Sequence, residues 1–203
     1  MGLAIRRAGA DDREAAAQLL DRVFHDDPVS SWIFPDVKDR RVGNPMMMGA
    51  FVDMALADGY VDIAEDGSAV ALWMSMPAGG AHGDESADGP AEFRKSIDPD
   101  NERIEQIVRI LDESHPTDRP HEYLQLIAVS TELHGQGRGA DLISNVLDRC
   151  DRDGLHAYLE ASSLRSRRLY ERLGFVFTGT TIDLPGGPHM YPMWREPQAQ
   201  RQL

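Results

Sequence analysis

The spacing of apolar positions divides the chain into a sequence of short elements. Residues 3 to 7 read as a strand, and Asp11 and Asp12 are placed to cap a helix in which Ala15, Ala16, Leu19, Leu20, Val23 and Phe24 recur at helical spacing. Asp26-Asp27-Pro28 ends it. Trp32-Ile33-Phe34-Pro35 reads as aromatic core packing at a loop. Val42, Met46, Met47, Ala50, Phe51, Met54 and Leu56 form a helical stripe over 40 to 57, with Pro45 obscuring where that helix starts. Two apolar runs, Tyr60 to Ala64 and Ala69 to Met76, flank Glu65-Asp66-Gly67-Ser68, whose Asp-Gly step favours a tight hairpin turn. Residues 77 to 99, rich in Gly, Ala, Asp and Ser, read as a long surface loop, followed by a helix over about 100 to 113.

The second half is more regular. Its pattern predicts a strand at 123 to 129, a glycine loop, a helix at 139 to 152, a strand at 156 to 160, a helix at 164 to 173, and strands at 174 to 183 and 189 to 194. Strand 123 to 129 is apolar on both faces except for Gln125, as expected of a central strand covered by helices. The order of elements predicts an α/β fold with a mixed, largely antiparallel sheet flanked by helices. All 203 residues are expected to form one domain.

Composition narrows the function classes. The net charge is −13, so long-range repulsion argues against a nucleic-acid partner. No apolar run approaches the roughly 20 residues that span a bilayer, and the amino terminus lacks the apolar run of a signal peptide. No membrane partner is expected, and the lone cysteine, Cys150, points to a reducing, cytoplasmic compartment. Cys150 shares a helical face with Leu142, Ile143, Val146 and Leu147 and reads as core. His121-Glu122-Tyr123-Leu124-Gln125 lacks the second histidine of a zinc-protease helix; the other histidines have no ligand spacing and read as surface or loop residues, so no metal is expected.

The candidate chemistry is concentrated in Val129-Ser130-Thr131-Glu132-Leu133-His134-Gly135-Gln136-Gly137-Arg138-Gly139-Ala140. A buried strand feeding glycines at alternate positions and then a helix start lets successive N–H groups converge on an anion. Gly139 is followed by Ala140-Asp141 rather than Lys-Ser or Lys-Thr, which excludes a P-loop. Residues 132 to 170 carry six arginines and six acids, so the acidic excess lies elsewhere; Arg138, Arg165, Arg167 and Arg168 are therefore candidates for phosphate contact.

The segment Leu159-Glu160-Ala161-Ser162-Ser163-Leu164-Arg165-Ser166-Arg167-Arg168-Leu169-Tyr170-Glu171-Arg172-Leu173-Gly174-Phe175 resembles the closing motif of the GNAT superfamily of N-acetyltransferases. The glycine loop resembles that family's pyrophosphate loop. Over about residues 55 to 197 the chain looks most like puromycin N-acetyltransferase and related small-molecule acetyltransferases. The resemblance implies acetyl-CoA as cosubstrate, lying between splayed central strands, and direct acetyl transfer to a small-molecule amine in a ternary complex. It implies that the backbone of Ile127, Ala128 and Val129 holds the pantetheine arm, that His134, Gly135, Gln136, Gly137, Arg138, Gly139 and Ala140 cradle the pyrophosphate, and that Ser163, Arg165 and Ser166 assist. His134 stands where the family usually has Gln or Arg, and Ser163 and Ser166 where Asn is common.

Tyr170 matches the tyrosine that protonates the departing thiolate, a role suited to a phenol that is neutral at pH 7. The attacking amine must be neutral, so a base is expected: Glu160 at its strand end first, with His121 and Glu122 behind it. Trp32, Phe34 and Glu122 are expected to contribute to acceptor binding, within a variable acceptor-side segment of about 24 to 120 beside a coenzyme-binding core of about 121 to 183. A non-catalytic CoA-binding protein and a protein or tRNA acetyltransferase are the alternative readings. Oligomeric state is left open.

Overall fold

The computed structural model describes residues 3–79 and 88–198. Eight strands form the sheet: β1 (Ile5–Arg7), β2 (Tyr60–Ala64), β3 (Ala69–Met76), β4 (His121–Val129), β5 (His156–Ala161), β6 (Val176–Phe177), β7 (Ile182–Asp183) and β8 (His189–Arg195). Their order is β1-β2-β3-β4-β5-β8-β6, with β7 also paired to β8. Every pair is antiparallel except β4 with β5. The helices are α1 (Arg13–Phe24), α2 (Pro28–Ile33), α3 (Val37–Asp58), α4 (Gly89–Ile97), α5 (Glu102–Ser114), α6 (Arg138–Asp153) and α7 (Leu164–Arg172).

Both faces of the sheet are covered, and β3 shows how. Val70 and Leu72 pack with Leu19 and Leu20 of α1 and Met48 and Val52 of α3, whereas Ala69, Ala71 and Trp73 pack with Leu142, Ile143, Val146 and Cys150 of α6. Strict alternation along one strand thus feeds two helix layers. Asp12 serves a short turn ahead of α1 rather than the helix itself: its carboxylate accepts from the Gly9 N–H at 2.9 Å and pairs with Arg6.

Four segments depart from the pattern expected of the sequence. The aromatic segment belongs to a helix, because Asp27 accepts from the Val29 N–H at 2.8 Å and Pro28 supplies a first helical position that has no N–H to satisfy. Pro45 lies inside α3, whose first turn is set by Asp36 accepting from Lys38 N–H. Part of the expected 77–99 loop is α4, opened by Pro90; residues 80–87 of that loop lie outside the described residues. The single strand expected over 174 to 183 is two short ones, β6 and β7, on the same partner β8.

The feature that creates the site lies in β4. Leu72 pairs with Leu126 but Trp73 with Leu124, so Gln125 is an extra residue, a bulge. The bulge reverses which residues face which layer: Leu124 packs on the α6 side, Leu126 and Ala128 on the α1–α3 side. Pairing with β5 covers only His121–Tyr123 against His156–Tyr158, ending just before the bulge. Beyond it β4 and β5 splay apart.

Candidate active site

The backbone groups facing the splayed gap follow from the β3–β4 ladder. Ser130 N–H donates to Ser68 C=O at 2.8 Å, which makes that couple a hydrogen-bonded pair. The next residues, Ala69–Val129 and then Ala71–Ile127, fall at the alternate, non-bonded positions. The N–H and C=O of Ile127 and Val129 therefore point away from β3 into the gap, while those of Ala128 face β3. The Val129 carbonyl is reached there by His134, whose Nε2–H donates to it at 2.9 Å.

At the end of β4 the chain turns through the glycine loop. Gly135 and Gly137 have φ of 79° and 85°, a left-handed conformation that L side chains rarely adopt, and a Cβ at either would meet open space. The loop is thus held open by conformation rather than by packing. The first helical bond of α6 runs from Asp141 N–H to Gly137 C=O, so the Arg138, Gly139 and Ala140 amides precede the intrahelical ladder at the positive end of the helix. Free amides at a helix start and open strand edge groups suit a long ligand carrying a diphosphate, and the residues present fit acetyl-CoA. Arg138 itself is committed elsewhere: its guanidinium pairs with Asp66 at 2.5 Å and with Ser68 Oγ, tying the loop to the β2–β3 turn. The Ser68 hydroxyl and Arg138 hold the Asp66 carboxyl down to about 2.

Across the gap, Ser163 and Ser166 cap α7 reciprocally. Ser163 Oγ accepts from Ser166 N–H at 3.1 Å and Ser166 Oγ from Ser163 N–H at 3.2 Å. Both serines line the cleft, as do Arg165 and Arg168. Arg167 does not; it pairs with Glu171 at 2.9 Å and lies over the Phe177 ring. One turn on, Tyr170 is 7% exposed, lines the cleft and packs against Phe175. Burial alone raises its phenol above the ordinary value, which keeps it protonated.

A cleft of about 1550 Å³ runs from the glycine loop between α7 and β4 to the helices α1 to α5. Glu160 lines its middle. Burial raises this carboxyl to about 7, against the lowering effect of the Tyr123 hydroxyl, which donates to its Oε2 at 2.8 Å, and of the Tyr158 hydroxyl. Further along, Asp27 accepts from Ser162 Oγ at 3.0 Å, and half-buried Asp112 is raised by desolvation to about 6. Phe24, Phe51 and Phe93 supply apolar wall.

Four residues expected at the acceptor side or as bases lie elsewhere. Phe34 is 1% exposed in the core, and Trp32 is 6% exposed. The Trp32 ring bonds the Pro185 carbonyl at 3.0 Å and lies so close to Gly187 that a Cβ there would come within 2.3 Å of it. Neither borders the cleft. Glu122 precedes the bulge on the α6 side, where it accepts from Tyr60 at 2.6 Å and pairs with Arg149 at 3.2 Å. His121 is buried behind the cleft wall. Its Nδ1–H donates to the Arg119 carbonyl at 2.8 Å, which leaves Nε2 to meet His115 Nε2 at 3.0 Å. His115 is thus buried, against the surface or loop placement read from sequence, and His121 is buried with it. His115, Tyr123, Ser162, Asp27 and Asp112 were not singled out by sequence; they come together only through packing of α2, α5, β4 and β5.

Comparison with known proteins agrees with this geometry. The acetyltransferase (GNAT) domain family matches residues 84–194. An uncharacterized N-acetyltransferase of Schizosaccharomyces pombe is 27% identical over 188 residues, covering 86% of this chain and 75% of that protein. Among solved structures, the histone acetyltransferase HPA2 and related acetyltransferase from Corynebacterium glutamicum is similar with a TM-score of 0.66 at 23% identity, covering 100% of both chains. Arylalkylamine N-acetyltransferase 2 from Aedes aegypti is similar with a TM-score of 0.68 at 15% identity, covering 97% of this chain and 99% of that one. These two likenesses concern the fold. With more than half of its length matched to the family, this chain belongs to the GNAT acetyltransferases, acyl-transferring enzymes whose family uses acetyl-CoA.

Proposed function

We propose that this enzyme acetylates a primary amine of a small molecule by direct attack in a ternary complex, in the manner of the puromycin-type acetyltransferases its sequence resembles. The single observation that carries the reading is that the open glycine loop, Tyr170 and Glu160 all border one continuous cleft. The gap-facing groups of Ile127 and Val129 would hold the pantetheine arm. The loop from His134 to Ala140 would hold the diphosphate, with Ser163, Arg165 and Ser166 on the facing wall. Acetyl-CoA supplies an acetyl group activated as a thioester.

The side chains then divide the proton work. A carboxyl with a pKa of about 7 has a substantial ionised fraction at neutral pH, so Glu160 accepts the proton that an ammonium must lose before it attacks. Val129 N–H, turned into the gap, stabilises the negative charge that develops on the acetyl oxygen. Tyr170 remains a neutral phenol and gives its proton to the departing thiolate. Cys150 takes no part: it is fully buried in the α6 layer, and burial pushes its thiol up to about 11. In this reading residues 24 to 120 furnish the acceptor side and 121 to 183 the coenzyme side of one domain. Apolar walls with Asp27 and Asp112 between them favour a cationic amine with an apolar body.

Thiol release from acetyl-CoA, followed for a panel of arylalkylamines, aliphatic diamines, aminonucleosides and a histone-tail peptide, tests the proposal. Turnover of small amines with intersecting initial-velocity lines is expected. Parallel lines, or turnover of the peptide alone, refute it.

A further inference from the structure

Glu160 sits beside two tyrosines. Its Oε2 accepts from the Tyr123 hydroxyl at 2.8 Å, and the Tyr158 hydroxyl also favours the charged form of the carboxyl. Tyr123 stands on β4 and Glu160 on β5, at the point where the two strands cease to pair. The Tyr123 ring is fixed from behind: His115 meets it edge-on with centroids 4.8 Å apart, and Tyr158 lies 5.8 Å away. His115 is in turn oriented by His121, whose tautomer the Arg119 carbonyl sets.

We infer that Tyr123 is a positioning residue for the base: its hydroxyl, held on β4, fixes the Glu160 carboxyl where β4 and β5 part and keeps the carboxylate ionisable inside an apolar wall. The inference rests on the proposed role of Glu160 as base. It also gives His121 a task different from the direct one its sequence position suggested, as the rear support of this chain of rings. The proton balance is simple. The ammonium N–H bond breaks, the proton and the Glu160 carboxylate form a carboxylic acid, and the amine keeps the electron pair with which it attacks.

A hydrogen bond donated to a carboxylate stabilises its charged form, so its loss raises the carboxyl pKa. The other titratable groups around this end of the cleft are Tyr158 on β5, Asp112 and Arg109 on α5, His115 just after it, and Asp27 before α2. None of these is altered in the test. Protein labelled with ¹³C at the glutamate carboxyl is titrated by NMR, the Glu160 signal being the one lost in Glu160→Gln. The midpoint is expected to rise by roughly one to two pH units in Tyr123→Phe, from the usual worth of a hydrogen bond to a charged group. The acid limb of kcat/KM, measured with the best amine of the panel, should move with it. An unmoved midpoint overturns the inference, and so does a moved midpoint with a fixed acid limb.

Replacing Tyr123 alone by 3-fluorotyrosine keeps the ring in place with a more acidic donor, and should lower the midpoint. No change there also overturns the inference, even where Tyr123→Phe fails to fold. Glu160→Gln separately decides the underlying reading: full activity in that variant removes Glu160 as base, whatever Tyr123 does to its midpoint.

Discussion

Valine in place of Gly137 separates the conformational role of the glycine loop from its role toward the coenzyme. Gly137 opens α6 with φ 85°, and Gly154 closes the same helix with φ 70°; a Cβ at either would meet open space. Neither substitution creates a clash, so each costs only the left-handed conformation, about 1–2 kcal/mol for an L residue and somewhat more for a β-branched one. For a domain of this size that corresponds to a fall in Tm of about 2–8 °C in both variants. Their consequences for acetyl-CoA should diverge. A valine at 137 drives the backbone toward negative φ, which turns the Arg138 amide away from the anion. One lost hydrogen bond to a charged group is worth about 1.5–3 kcal/mol, a rise in Kd of roughly 10- to 150-fold. Gly154 lies at the opposite end of a helix of 16 residues, roughly 24 Å long. Gly154→Val should therefore bind as the parent does. Calorimetric titration with acetyl-CoA beside thermal unfolding reads both quantities. Equal Kd values for the two valine variants would refute the assignment of the loop as a diphosphate cradle.

The remaining predictions concern single side chains. Tyr170→Phe should lower kcat by about 100-fold or more while leaving the Kd of acetyl-CoA unchanged, as expected for loss of a general acid; a kcat within twofold of the parent under conditions where chemistry is slow removes that role. Glu160 has a raised carboxyl pKa, so its contribution to stability is complete below the ordinary glutamate value and is lost as pH rises through about 7; Tm measured from pH 5 to 8.5 should fall in the parent relative to Glu160→Gln. Arg195 is 4% exposed and makes paired contacts to Asp151 at 2.6 and 2.8 Å, so Asp151→Asn leaves a buried cation and should cost about 3 kcal/mol, checked by urea unfolding. The pairing depresses the Asp151 carboxyl, so this contribution is present above the ordinary carboxylate range and disappears as pH falls through the depressed value. Cys150→Ala should keep acetyl transfer while losing stability, because the thiol fills core space; loss of activity in a folded protein would contradict direct attack.

Local pattern alone was enough for the elements whose signals are contained within a few residues. The Asp-Gly step announced the β2–β3 hairpin, 3.6-residue spacing announced α1, α5 and α6, and alternate glycines after an apolar strand announced the loop whose positive φ values the structure contains. Helix α2 was missed because its aromatic residues suggested packing without a period, although Asp27 and Pro28 carried a usable start signal. The placement of side chains around the cleft was not legible. One bulge at Gln125 reverses the face on which every later residue of β4 lies, and no sequence period marks it. Just ahead of it, on opposite faces of β4, Glu122 lies in a buried network with Tyr60 and Arg149 while Tyr123 reaches Glu160, 37 positions away. Trp32 and Phe34 looked available because an aromatic residue serves a core or a ligand wall equally well; which one it serves depends on the surfaces that meet it, here Gly187 and α3. The sequence by itself determined most of the elements and the glycine loop that opens α6, because turns, periods and helix starts are short-range physics. Tertiary structure decided which carboxylate is buried beside which hydroxyl, because desolvation and the splaying of two strands exist only once distant segments pack.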